Sequence, residues 1–220
     1  MAELVNNADK SSQSFDYNNA SDESLFERYR FEGDSKCLEV IIHRYEAPLY
    51  NYLFRYLGNR EAAEDVFQST FLQVYTKHDQ FDFSKRFKPW LYTVATNQAI
   101  DYKRRSNRKM AISLDASYSG EDSDSSSSLQ DILESSEKDP LTKMDDQEQA
   151  KRVREAVEKL PPILRDTVNL IYFEDLKYKD AADILGIPVG TVKSRLHSAM
   201  IKLGEIFLEQ NSQENVEEEE

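Results

Sequence analysis

Cysteine is almost missing from this chain. Among 220 residues only Cys37 carries a thiol, which excludes a disulfide framework and a cysteine-based zinc site. Histidine is nearly as scarce. His43, His78 and His197 fall in separate segments, so the clustered carboxylates and histidines of a metal-dependent nuclease are not expected. No catalytic residue, cofactor or metal is expected. No apolar run approaches the length of a membrane span, and the opening MAELVNNADKSSQ lacks a basic region followed by an apolar stretch. A cytoplasmic protein with neither signal peptide nor membrane partner is expected. Glycine and proline are rare between residues 21 and 107 and no strand alternation is visible, so the fold class expected is all-α.

Positive charge is also in the minority, with Lys+Arg 28 against Asp+Glu 41 and a formal net charge of −13. That sum argues against a polyanion partner, but its distribution does not. Between Lys85 and Lys109 stand Lys85, Arg86, Lys88, Lys103, Arg104, Arg105, Arg108 and Lys109, with Asp101 the single acid. From Asp115 to Glu148 acids dominate, and Glu214 and Glu217–Glu220 close the chain. A patchy chain of this kind can hold DNA on one surface while its other surfaces keep non-specific binding low.

The most informative stretch is Leu176–Leu203, LKYKDAADILGIPVGTVKSRLHSAMIKL. Ala181, Ala182, Ile184 and Leu185 form a helical stripe, Gly186-Ile187-Pro188-Val189-Gly190 breaks it, and Val192, Leu196, Ala199 and Leu203 resume the period. Small residues on the first helix, a short turn and an acid-free second helix fit a helix-turn-helix. The DNA-facing candidates on the second helix are Thr191, Lys193, Ser194, Arg195, His197 and Ser198.

Composition divides the chain into two small helical domains joined by a flexible acidic linker. Residues 1–20 read as a disordered leader, 21–107 as the first helical domain, and 108–147 as a Ser- and acid-rich linker. Residues 148–209 read as the helix-turn-helix domain and 210–220 as an acidic disordered tail. In the second domain Val153, Ala156, Val157 and Leu160 make one stripe; Pro161-Pro162 ends that helix, and Ile163, Leu164, Val168 and Ile171 begin the next.

Two segments of the first domain carry more than core. On Arg60–Lys77, Ala63, Phe67, Phe71 and Val74 share one helical face and Glu61, Asp65, Gln68 and Leu72 the other. This is either an ordinary amphipathic helix or a docking face centred on exposed Leu72. On Phe87–Lys109, Leu91, Val94, Ala95, Gln98 and Tyr102 line one side, and Trp90, Thr93, Asn97, Asp101 and Arg104 the other. Asn and Arg suit base edges and cations suit phosphates. The loop His78–Phe87 mixes aromatic and basic residues, as unpaired bases require. Trp90 fits a core anchor as well as a stacking residue, and Asp101 fits a partner for Arg104 or Arg105.

With these motifs together, the chain resembles the extracytoplasmic-function (ECF) group of bacterial RNA polymerase sigma factors. Glu64-Asp65, Gln68 and Phe71 resemble the helix that docks on the polymerase clamp. Phe87, Trp90-Leu91, Asn97, Asp101 and Arg104-Arg105 resemble the segment that melts and reads the minus-ten promoter element. Leu160-Pro161, Arg165, Phe173-Glu174 and Gly190–Leu196 resemble the domain that reads the minus-thirty-five element. The resemblance implies a transcription initiation factor that binds core RNA polymerase, at its clamp and flap, and promoter DNA. It implies polymerase contacts at Glu64, Asp65, Gln68 and Leu72, and minus-ten contacts at Lys85, Arg86, Trp90, Asn97, Arg104 and Arg105. An anti-sigma factor is a further partner the family admits. The alternative is a stand-alone regulator with a LuxR-type helix-turn-helix, which would need an N-terminal receiver or ligand domain.

Overall fold

The computed structural model describes residues 15–114 and 140–217, and among these there are helices and no strands. The first four helices are α1 (Asp22–Glu32), α2 (Ser35–Leu57), α3 (Arg60–Thr76) and α4 (Phe87–Leu114), with a 3₁₀ turn at His78–Gln80. Each of the first three begins at a side-chain cap. Ser21 accepts from Ser24 N, Asp34 from Lys36 N and Asn59 from Ala62 N, satisfying donors that a helix start leaves free. For α4 the carboxylate comes from another helix: Glu23 Oε1 accepts from Phe87 N at 2.8 Å. That bond fixes where α4 begins relative to α1.

Leu25, Phe26, Ile41, Leu49, Tyr52, Leu53, Val74, Phe87, Leu91 and Tyr92 fill the space among these helices. Each large apolar side chain buried there stabilises by about 1.5–3 kcal/mol. The leader is structured in its last residues. Arg44 donates to the carbonyls of Tyr17, Asn18 and Ala20 and to Asp22, and Tyr17 donates to Asp34 at 2.8 Å. One guanidinium with four acceptors ties down a segment whose composition reads as disordered.

The second half comprises α5 (Pro140–Glu158), α6 (Pro162–Val168), a π-helical turn at Asn169–Phe173, α7 (Tyr178–Leu185) and α8 (Val189–Glu217). Pro162 stands in the first turn of α6, where its missing N–H costs nothing. Ala156, Val157, Leu160, Val168, Leu196, Ala199, Leu203 and Ile206 form its own core. Val153 and Ile163 are exposed, against the stripes expected for them; the inward positions of α5 are Ala156 and Val157. Helix extends into both ends of the segment expected as linker, α4 reaching Leu114 and α5 starting at Pro140. The remainder of that segment, with the Ser125–Ser128 run, lies outside the described residues. Helix α8 likewise continues to Glu217, through most of the stretch expected as a disordered tail.

The two halves are not separate bodies here. Leu170, Leu176, Ala181, Ala182, Ile184 and Val192 are buried in continuity with the first core, and α7 packs directly on α4.

Candidate nucleic-acid and polymerase interfaces

Burying Ala62, Ala63, Val66, Thr70, Phe71 and Val74 turns Glu64, Asp65, Gln68 and Leu72 of α3 outward. Leu72 is 64% exposed. It borders a shallow groove of about 470 Å³ with Asp65, Gln68, Ser69, Tyr102, Arg105 and Ser106. Arg105, expected on the promoter side, therefore stands with the polymerase candidates, at the seam of α3 and α4.

On α4 the minus-ten candidates share one exposed face only in part. Lys85, Asn97 and Arg104 are exposed. Arg104 lies 3.7 Å from Asp101, and Arg105 Nε donates to the Asp101 carbonyl, so Asp101 does hold its basic neighbours. Trp90 is half-buried, with its ring 5.0 Å from Phe81, 5.6 Å from Phe26 and 5.8 Å from Phe87. These contacts fit its reading as a core anchor.

The loop differs from expectation. Phe81 and Phe87 point into the core, at 3% and 0% exposure, because Asp82 accepts from Ser84 N and Lys85 N closes a turn onto the Asp82 carbonyl. Of the loop aromatics only Phe83 reaches the surface. There it meets Phe31 from the end of α1, with ring centroids 5.7 Å apart. Phe31 is 66% exposed, and the Arg30 guanidinium lies 5.1 Å from its ring and 5.4 Å from that of Phe83. Arg30 also donates to the Phe81 carbonyl at 3.1 Å, which fixes the loop to α1. Sequence reasoning missed this pair; the signal available was an apolar ring among charges in FERYRFEG.

In the helix-turn-helix, α7 ends at Gly186, whose φ of 64° suits a residue without Cβ. Only Ile187 and Pro188 then precede α8, so Gly190 lies in its first turn rather than in the break. Val192 and Ala199 are fully buried and Leu196 and Leu203 nearly so. Lys193, Ser194, His197 and Ser198 consequently face outward, and Thr191 and Arg195 lie at the edge. Ser194 Oγ donates to the Thr191 carbonyl at 3.0 Å, leaving its lone pairs outward.

Charged groups from α2, the start of α4 and the residue before it meet the second half. Glu174, at 3% exposure, accepts from Arg55 Nη2 at 2.6 Å and from the Tyr92 hydroxyl. Lys88 donates to the Glu174 carbonyl at 2.5 Å, and Arg86 pairs with Asp180 of α7. Burial raises the Glu174 carboxyl above its usual range although Tyr92 and Arg55 oppose it, and burial lowers the Arg55 guanidinium. Burial likewise pushes Asp166 up to about 6 against the charges of Lys103, Arg165 and Arg195. A π turn, in which Glu174 N bonds the Asn169 carbonyl, delivers Glu174 inward; such bulges recur at functional positions.

Cys37 is buried and its thiol is pushed up to about 11, chiefly by burial. Among the described residues no group of three His, Cys, Asp or Glu is placed to hold a metal ion, and no helix is long and apolar enough to cross a membrane.

Two family models match where these surfaces lie. Sigma-70 region 2 covers residues 41–109 and Sigma-70, region 4 covers residues 150–203. The chain is 32% identical over 166 residues to the ECF RNA polymerase sigma factor SigW of Bacillus subtilis strain 168, across 76% of this chain and 86% of that one. This chain belongs to the ECF sigma factors. The ECF RNA polymerase sigma-E factor of Haemophilus influenzae is 30% identical over 179 residues, covering 81% of this chain and 91% of that one. Among solved structures, the Bartonella quintana sigma factor RpoE, bound to the anti-sigma factor NepR, shares the fold. Its TM-score is 0.59 at 23% identity, over 78% of this chain and 97% of that one. CnrH in complex with the cytosolic domain of CnrY shares it at a TM-score of 0.57 and 18% identity, over 86% and 97%. The ECF sigma factor is a transcription initiation factor, and the two matched regions account for its helix-turn-helix without a LuxR-type regulator.

Proposed function

We propose that this sigma factor divides promoter recognition and polymerase docking among the three outward surfaces described above. Glu64, Asp65, Gln68 and Leu72 dock on core polymerase, with Arg105 at the rim of the same groove. Thr191, Lys193, Ser194, Arg195, His197 and Ser198 enter the upstream major groove, where the start of a recognition helix meets base edges. Lys85, Asn97 and Arg104 hold the downstream element, and the Phe31–Phe83 pair stacks on a base that has left the duplex. Extruding a base costs a few kcal/mol, which stacking at about 1–3 kcal/mol per base offsets. Core polymerase then performs all the chemistry. An anti-sigma partner fits this reading, since proteins of its fold are known bound to one.

The observation that carries the proposal is the outward placement of Asn97 on α4 and of Lys193, Ser194, His197 and Ser198 on α8, two helices whose opposite faces are buried. The test uses holoenzyme assembled from the full chain and core polymerase. Asn97→Ala should weaken capture of a minus-ten single strand and spare a minus-thirty-five duplex, and Arg195→Ala should do the reverse. Equal losses on both probes would contradict the division of labour.

A further inference from the structure

We propose that a second groove, on the side of α3 turned away from Leu72, is the seat of this chain's own leader, with Leu4 and Val5 filling it.

The groove runs along the seam of α2 and α3 and holds about 440 Å³. Leu38 and Ile42 of α2 and Phe67 of α3 form its floor, half-buried against the core. Glu39, His43 and Glu46 stand exposed along its rim, with His43 Nδ1 3.5 Å from Glu46. Phe67 and Leu72 are five positions apart on one helix, so their directions differ by about 140°. Filling this groove therefore leaves the one beside Leu72 open. Covering its three apolar side chains is favourable in proportion to the area removed from water.

The course of the chain brings the leader to this place. Tyr17 donates to Asp34 at 2.8 Å, and Lys36 Nζ lies 4.5 Å from the Tyr17 ring. The Arg28 guanidinium lies 4.6 Å from the ring of Phe15. Arg44 holds the carbonyls of Tyr17, Asn18 and Ala20. Phe15–Ala20 is thus pinned against the first turns of α2, beside Ser35, where the groove opens. Ahead of Phe15 the large apolar residues are Met1, Leu4 and Val5. The roughly ten positions from Val5 to Phe15 have a covalent reach of up to about 35 Å. From Ser35 to Glu46 the groove follows only about 16 Å of helix. A ligand tethered so close is present at an effective concentration of about mM.

Charge favours the leader over the other segments outside the described residues. Residues 115–139 and 218–220 are strongly acidic and would bring like charge to Glu39 and Glu46. In the leader Glu3 and Asp9 are balanced by Lys10 and the terminal amine, so Leu4 and Val5 settle without that repulsion.

The test replaces Leu4 with photoreactive p-benzoylphenylalanine in the full chain. After irradiation, peptide mass spectrometry maps the attachment sites. The proposal predicts attachment within one chain, on the peptides that carry Leu38, Ile42 and Phe67. Adding Val5→Asp should cut that yield by about tenfold, because a carboxylate is poorly placed on an apolar floor between two acids. Attachment between two chains, seen as a species of doubled mass, would give the groove to a second copy and overturn the proposal. Little attachment, attachment scattered over the surface, or a yield indifferent to Val5→Asp would overturn it as well. Neither polymerase nor promoter DNA enters the experiment, so its outcome is separate from that of the promoter-reading assignment.

Discussion

Glu174 reaches Arg55 across 119 positions of sequence, Oε1 to Nη2 at 2.6 Å, with the carboxylate almost wholly buried. Glu174 belongs to the Phe173-Glu174 motif, but nothing in either segment marks the pairing. Together they join the two halves at a point where each would otherwise carry an unpaired charge. Arg55→Met should therefore cost about 3 kcal/mol of stability, since Glu174 stays buried without its cation. The double variant Arg55→Met with Glu174→Leu should recover most of that loss. A double-mutant cycle by chemical denaturation checks both values; strict additivity would show that the pair is not coupled.

Leu72 offers a loss of binding without a loss of fold. Its exposure means that Leu72→Ser leaves the core intact, so the melting temperature should hold within about 1 °C. Affinity for core polymerase should fall about tenfold or more if the groove with Asp65 and Gln68 is the docking face. Titration of labelled chain with core polymerase measures the change.

The Phe31–Phe83 pair makes a similar prediction on DNA. Phe31→Ser should weaken binding of a minus-ten single strand to holoenzyme by about 1–3 kcal/mol, the range for one stacked base. Duplex upstream DNA should bind as before. Fluorescence of 2-aminopurine at successive positions of the strand would show which base is affected.

Asp166 sets a pH dependence with a definite sign. Its carboxyl, pushed up to about 6 by burial, holds a proton more tightly in the folded chain than in the unfolded one. That contribution to stability is fully present below the ordinary carboxylate range and is lost as pH rises through about 6. Lys103 of α4, Arg165 of α6 and Arg195 of α8 oppose the shift without cancelling it. Asp166→Asn keeps the neutral form at every pH. Its melting temperature relative to the parent chain should therefore rise between pH 4 and pH 7.5. A relative fall over that interval would show that the three cations outweigh burial.

Buried Asn169 makes a stability prediction of opposite direction. Its side-chain nitrogen and oxygen lie in the interior with no hydrogen-bond partner among the described residues, which costs about 1–3 kcal/mol for such a group. Asn169→Leu, close in volume, should raise stability by about 1 kcal/mol. Thermal melting checks it.

Helical period alone was enough for the inward set Val192, Leu196, Ala199 and Leu203, and hence for the outward face of α8. The same period exposed Leu72. Both succeed because one face of a single helix decides them. The loop before α4 fails the same logic: Phe81 and Phe87 read as free rings, yet the turn at Asp82 carries them into the core. Phe31 lay unnoticed because its partner Phe83 belongs to another segment. The Glu174–Arg55 pairing was illegible for a further reason. A π turn aims that carboxylate, and neither turn type nor a partner 119 residues away leaves a periodic trace.

Run-off transcription with purified core polymerase on a pool of promoter fragments tests the account most directly. With this chain added, discrete transcripts should start downstream of two shared motifs, and Arg195→Ala should reduce those that depend on the upstream one. Absence of transcripts, together with failure of the chain to co-elute with core polymerase, would contradict the account.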